Sequence, residues 1–300
     1  ILMLHRVTAT PGEVIGANRH LTVSPQFLDA LLAEVSRLGY RFVTMDEAVE
    51  RLSSGGRGEP FVTITADDAY RDNVQEALPV LEKHQAPITI YVAPALIEGR
   101  SLLWWDVLER IVSCRDTVYL STGHGKVALD CSTPAGKLNA NNAIHDYLTR
   151  EVPEEDQRAV IRDLAFAAGV DPDGPNRETL MNWDEIRAAA AHPLVTIGSH
   201  TVHHHNLRRL AEDKARREIV DAGGILEIEL GARPRHMAYP YGYASAVGER
   251  EVALAREAGY STAVTTRHGM VQAEHARHLH SLPRISINGR YQRVSHVRTM

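Results

Sequence analysis

From Ser24 to Gly39 apolar residues recur at helical spacing, at Phe27, Leu28, Leu31, Leu32, Val35 and Leu38. Ser24 and Pro25 suit a capped first turn, so the pattern predicts a helix with one face to bury. Short β-rich runs supply the surface it needs: ILML at 1–4, FVTIT at 61–65, ITIYV at 88–92, VTIG at 195–198, HMAY at 236–239, STAVTT at 261–266 and LPRISI at 282–287. Helical stretches at 73–84, 208–230 and 245–258 follow three of them. Strands that are apolar along most of their length and separated by helices predict a parallel sheet buried on both faces. About seven such strands suffice for a closed barrel; the other arrangement is an open doubly wound sheet. No glycine-rich phosphate loop follows any strand, which removes the usual nucleotide-binding role of the open sheet.

Between about 99 and 180 this rhythm breaks. LLWWDVLERIV reads as a helix, VYLS and KVALD as a small hairpin, and 134–150 and 153–168 as further helices. This stretch is read as an insertion, with DPDGP at 171–175 as its loop exit and NWDEIRAAAA at 182–191, capped by Asn182, as the helix that returns to the barrel. The whole chain, 1–300, is therefore read as a single catalytic domain carrying a mainly helical insertion.

Composition narrows the class. The 44% hydrophobic and 24% charged residues are those of a globular chain, and a net charge of −5, mixed along the sequence, offers no basic stripe for nucleic acid. No apolar run is long enough for a membrane span, and two cysteines cannot build a disulfide framework. The compartment is open: cytoplasmic if the N-terminus shown is near complete, exported if a leader is missing. The oligomeric state is open as well.

Histidines are densest just after VTIG, in Gly198-Ser199-His200-Thr201-Val202-His203-His204-His205. One helical turn would bring His200 and His204 onto one face, with His203 and His205 pointing elsewhere. The plainer reading of such a run is a solvated polar turn. A second group weighs against that, because FVTIT ends in Ala66-Asp67-Asp68. Paired aspartates at a strand exit commonly make a turn or a helix cap. In a barrel, however, strand ends converge on one mouth, so one Asp and two His would form a metal triad with open positions and leave the other Asp free as a base.

These motifs, in this order and at strand exits, resemble the polysaccharide deacetylases of the NodB-homology type, carbohydrate esterase family 4. The family's T-F-D-D-G appears as Thr65-Ala66-Asp67-Asp68-Ala69, its histidine motif as His200-Thr201-Val202-His203-His204, and its R-x-P-[YF]-G as Ala238-Tyr239-Pro240-Tyr241-Gly242. ILMLHRV and LPRISI are similar to the family's first and last strands. The resemblance implies a distorted (β/α)7-type barrel and a metal-dependent hydrolase that removes N-acetyl groups from an N-acetylated sugar polymer or oligosaccharide. Asp67 is then the catalytic base, and Asp68, His200 and His204 are the ligands of a divalent metal, Zn²⁺ first, with Co²⁺, Ni²⁺ or Fe²⁺ also suited. The backbone N–H of Tyr241 is the expected oxyanion donor, since Pro240 has none and Gly242 permits a sharp turn. Two alternatives are an amide hydrolase of the same scaffold with a non-sugar substrate and a non-catalytic carbohydrate-binding relative.

Several positions depart from the family pattern. Ala66 and Ala69 replace the usual Phe and Gly, and Ala238 stands where many members carry the Arg that orients the catalytic Asp. Asp67 therefore lacks that partner unless Arg235 or Arg284 reaches in; Arg284 is read as structural. For the general acid, His278 and His5 are favoured over His275 and His280, with His278 put first. Trp104 and Trp105 open the insertion, and as neighbours on a helix they point in different directions, so at least one is expected in the core, and Trp183 is equally ambiguous. The insertion is expected to shape substrate length or oligomer contacts.

Overall fold

The computed structural model describes residues 1–10, 15–54 and 59–297. In it seven parallel strands close into a barrel: β1 (Leu2–Leu4), β2 (Ile64–Ala66), β3 (Ile88–Val92), β4 (Val195–Ser199), β5 (His236–Ala238), β6 (Thr262–His268) and β7 (Leu282–Ser286). Each pairs with its neighbours in chain order, and β7 closes the ring on β1 through Leu2 opposite Ile285. The expected barrel is thus the observed one, and the open sheet is excluded. Every strand runs the same way, so all seven C-terminal ends gather at one mouth.

Local chemistry explains the elements around it. The helix Pro25–Arg37 starts where Ser24 Oγ accepts a hydrogen bond from Phe27 N (3.1 Å), and its buried Leu28, Leu31, Leu32 and Val35 pack on the barrel. Asn182 caps Trp183–Ala190 in a reciprocal box with Glu185. Two expectations shift in detail. FVTIT is not one strand: Phe61–Val62 pairs with Arg41–Phe42, and only Ile64–Ala66 enters the barrel. DPDGP is not all loop, because the helix Gly174–Thr179 begins inside it.

Between β3 and β4 the chain leaves the barrel. The helices Trp104–Ser113, Pro134–Arg150 and Gln157–Ala168 and the antiparallel hairpin Thr117–Thr122/Gly125–Asp130 share a core of their own, with Val107, Leu108, Ile111, Ile144, Leu148 and Ile161 at its centre. Among the described residues no helix is long and apolar enough to cross a membrane.

Candidate active site

Asp67 and Asp68 follow directly on β2, and the Asp67 N–H donates to Leu4 O of β1 (3.1 Å), which ties the two strand exits together. Both carboxylates are buried, 2% exposed each, yet their surroundings are opposite. Asp67 is clasped by the Arg284 guanidinium, with both oxygens at 2.7 Å. Arg284 is fully buried and also donates to Thr65 Oγ1 (3.1 Å) and Thr265 O (2.8 Å). Burial alone would raise the Asp67 pKa; the Arg284 charge and its hydrogen bonds overcome this and hold it down at about 2.

Arg284 therefore is not merely structural, and the vacancy at Ala238 is filled from β7 rather than β5. A lone charge in the middle of an apolar strand was the signal, since a buried guanidinium must find a carboxylate. Arg235 does not compete: it precedes β5 at the opposite end of the barrel, is largely exposed and pairs with Asp46 (2.8 Å).

Asp68 has no such partner. Its Oδ1 makes no hydrogen bond among the described residues and lies 3.6 Å from His200 Nε2 and 3.4 Å from His204 Nε2. Burial, then the adjacent Asp67, push its pKa well above the usual carboxylate range. His200 donates from Nδ1 to Ala238 O (2.8 Å), which leaves Nε2 as the free lone pair facing Asp68. Burial lowers the pKa of both imidazoles, so they are neutral and able to ligate. One ligand atom from each of the three residues lies within 4.8 Å of the other two. An orphaned carboxylate oxygen facing two neutral imidazole nitrogens fits a divalent cation, whose charge would offset the unfavourable ionisation of Asp68.

The histidines do not meet on a helical turn as their spacing predicts. Residues 200–206 form an irregular loop in which Thr201 (φ 62°) and His204 (φ 57°) are left-handed, a conformation a right-handed helix excludes. His200 N–H is fixed on Val92 O (2.8 Å), and the His204 carbonyl accepts from Arg158 Nη2 (2.7 Å), which reaches over from the helix Gln157–Ala168. Asp68 (φ 70°), Ala69 (φ 57°) and Tyr241 (φ 62°) are left-handed too, so five of the six such non-glycine residues described lie in the three motifs. Strain of this kind gathers where a site dictates side-chain direction. Ala69 adopts the backbone for which the family's usual glycine is suited.

Tyr241 lies beside His204, ring centroids 5.1 Å apart, with its hydroxyl accepting from Trp104 Nε1 (2.9 Å). Gly242 (φ 61°) makes the turn tenable, since a Cβ there would sit 2.5 Å from Thr266 N. Trp104 is the core member of its pair. Trp105 is half-buried, donates to Tyr70 OH (3.2 Å) and sets its ring 5.1 Å from that of His204. Trp183 packs against the barrel core, away from this group.

His278 is not brought to the aspartates. It lies in the turn between Ala273–Arg277 and Leu279–Ser281, on a surface cavity with Arg208, Val247 and Arg267. His275 closes its own turn with Gln272, and His280 is bonded to Tyr260 O. Of these four histidines, His5, at the exit of β1, is the one that reaches Asp67: its Nε2 is 3.9 Å from Asp67 Oδ2. Burial, only partly opposed by Asp67, lowers its pKa to about 4. Barrel closure explains the choice, since β1 pairs with β2 and their exits must adjoin.

Comparison with known proteins bears on the fold and the family. A search of curated protein sequences found no significant match. Among solved structures the chain is similar to deacetylase PplD of Streptococcus pyogenes, solved in complex with acetate, at 20% identity and TM-score 0.62 over 96% of this chain and 91% of that one. It is also similar to IcaB of Ammonifex degensii, at 19% identity and TM-score 0.57 over 95% and 90%. A third is BC0361, a polysaccharide deacetylase of Bacillus cereus, at 17% and 0.59 over 99% and 67%. At these identities the likeness establishes the fold. The polysaccharide deacetylase family model matches residues 54–263, more than two thirds of the sequence, with both the aspartate and histidine motifs inside the match, and the chain therefore belongs to the polysaccharide deacetylase family.

Proposed function

We propose that this deacetylase is a metal-dependent hydrolase acting on the N-acetyl groups of an N-acetylated glycan, with Asp68, His200 and His204 as metal ligands and Asp67 and His5 as the proton-handling pair. The observation that carries the reading is the division between two adjacent buried carboxylates, one neutralised by Arg284 and the other left facing two imidazole nitrogens. A divalent cation bound by the second set supplies Lewis acidity toward water and the acyl carbonyl oxygen.

The remaining work falls to the protein. With a pKa of about 2, Asp67 is ionised at any working pH and always free to accept a proton from the attacking water. So weak a base does not retain it. His5, at about 4, is the stronger acceptor 3.9 Å away, and an amine leaving group is stronger still. The proton taken up by Asp67 therefore passes on toward the departing nitrogen, with His5, 3.9 Å from Asp67, placed to relay it through one bridging water. Arg284 keeps Asp67 aimed throughout. The Tyr241 N–H serves the developing oxyanion, and Trp105 and Tyr70 wall the site from the side of the inserted segment.

The test is acetate release from chitin oligosaccharides, an N-acetylated β-1,6-linked glucosamine polymer and peptidoglycan, by protein stripped with a chelator and then reloaded with Zn²⁺ or Co²⁺. Release from at least one glycan, lost on stripping and restored on reloading, is expected. Undiminished release by the stripped protein would overturn the metal dependence. Metal-loaded protein that releases no acetate from any of the three would count against a glycan substrate.

A further inference from the structure

The loop that turns His200 and His204 inward turns its other two histidines outward, onto one carboxylate. Glu218 projects from the helix Glu212–Leu230 and is 7% exposed. His203 Nδ1 lies 2.6 Å from Glu218 Oε1, and His205 Nδ1 lies 3.6 Å from the same oxygen. The two rings are stacked, 5.4 Å apart and 19° from parallel. Glu218 Oε2 accepts from His203 N (2.8 Å), so the carboxylate is fixed. As at the first site, the ligand atoms of all three residues lie within 4.8 Å of one another.

A hydrogen bond between His203 and Glu218 explains only half of this. It does not account for the second imidazole, stacked on the first, whose Nδ1 stands at ion-pair rather than hydrogen-bond distance from the same oxygen, 3.6 Å away. Nor is Glu218 claimed by the cations around it. The cavity there, about 370 Å³, is lined by Arg100, Lys214 and Arg217, but Arg100 pairs with Glu98, Lys214 with Glu155 (2.6 Å) and Arg217 with Asp213 (2.8 Å). What converges on the carboxylate is two imidazole nitrogens, and two imidazoles with a carboxylate oxygen are a donor set for zinc-type ions.

We propose that His203, His205 and Glu218 form a second divalent-cation site, on the outer face of the loop whose inner face carries His200 and His204. The cation takes the place of the proton between His203 Nδ1 and Glu218, and that proton leaves to solvent. Its effect is to pin residues 200–206 to the helix Glu212–Leu230, reinforcing the one backbone bond that joins them there, from Val202 N to Glu218 O (3.1 Å). The site stands on its own residues, so it is tested separately from the reading of the first site.

Metal-free protein is equilibrated with Zn²⁺ or, in a parallel series, Co²⁺, and bound metal is counted after gel filtration, with thermal melting of each sample. Two equivalents are expected on the wild type, one on the His203→Ala, His205→Ala variant and one on the His200→Ala, His204→Ala variant. In the last, Zn²⁺ should still raise the melting temperature. The pair His203→Gln, His205→Gln repeats the first variant with side-chain volume better preserved. A second equivalent that persists in both outer-face variants overturns the proposal, as does a single wild-type equivalent that disappears with His200 and His204. A single equivalent lost only with His203 and His205 supports this site and counts instead against the first one.

Discussion

The carboxylate side of the site is held from inside the barrel. Asp67 is bonded through its backbone to β1 and through its side chain to Arg284 of β7, and Arg284 in turn rests on Thr65 and Thr265. The imidazole side is held partly from outside. His200 is fixed on barrel carbonyls, but His204 sits on a left-handed turn whose carbonyl is carried by Arg158 from the segment between β3 and β4. Arg158 is itself paired with the buried Glu154 (3.0 Å), and Glu154 accepts from Asn206 N (3.0 Å) on the same loop. One half of the site is thus a product of barrel closure, while the other needs a brace that the barrel does not supply. The inserted segment provides no member of the Asp68 triad, but it does hold one in place.

This contrast can be broken first on its stronger side. Arg284→Met leaves Asp67 buried and unpaired, and loss of one partner from a buried ion pair costs about 3–5 kcal/mol of stability. Adding Asp67→Asn removes the stranded charge, so the double variant should recover much of that loss in a denaturant melt. If the single and double variants melt alike, the clasp does not carry the carboxylate side. On the other side, Arg158→Met removes a hydrogen bond to the backbone of His204, a proposed metal ligand, a change of the kind that weakens metal affinity by roughly 10–100-fold. Isothermal titration with Zn²⁺ measures it, and unchanged affinity would show that the His204 loop holds itself.

Much of the carboxylate side could be read from the chain, because strand exits in a parallel barrel lead to one mouth and two aspartates stood at one of them. The partner of Asp67 was harder to place. The vacancy at Ala238 was visible, but which of two arginines filled it depended on the packing of β7 inside the ring. The imidazole side was reached by way of the wrong local geometry: a four-residue spacing implies a helical turn, whereas Thr201 and His204 bring the rings together in a loop. The sequence gives no ground for ranking His5 above His278, because adjacency of the β1 and β2 exits follows from which strands pair, which no single motif records. The brace from Arg158 left no trace in the spacing, since it joins residues 46 apart across two elements.

A smaller effect separates Asp67 from its neighbour His5 by pH. The folded pKa of Asp67, about 2, lies below its unfolded value of about 3.9, so its contribution is complete above roughly pH 4 and lost as the pH falls toward 2. His5 is also depressed, to about 4 from roughly 6.5, but its folded form is the neutral one. Between those values the unfolded chain binds the extra proton, and stability should rise with pH across that window. The difference in melting temperature between metal-free wild type and His5→Gln, followed from pH 3 to 8, should be constant above about pH 7 and shift below it. Parallel curves would place His5 in a more open setting than its burial implies.

The division of labour between the adjacent aspartates is tested most directly by measuring bound metal and kcat/KM for acetate release side by side in Asp67→Asn and Asp68→Asn. Asp67→Asn should retain the metal held by Asp68, His200 and His204 while losing turnover by roughly 10²-fold or more, the scale of a general base. Asp68→Asn should lose that metal and turnover together. If Asp67→Asn releases the metal, or keeps both metal and turnover near wild type, Asp67 is not the base and the account of the site fails.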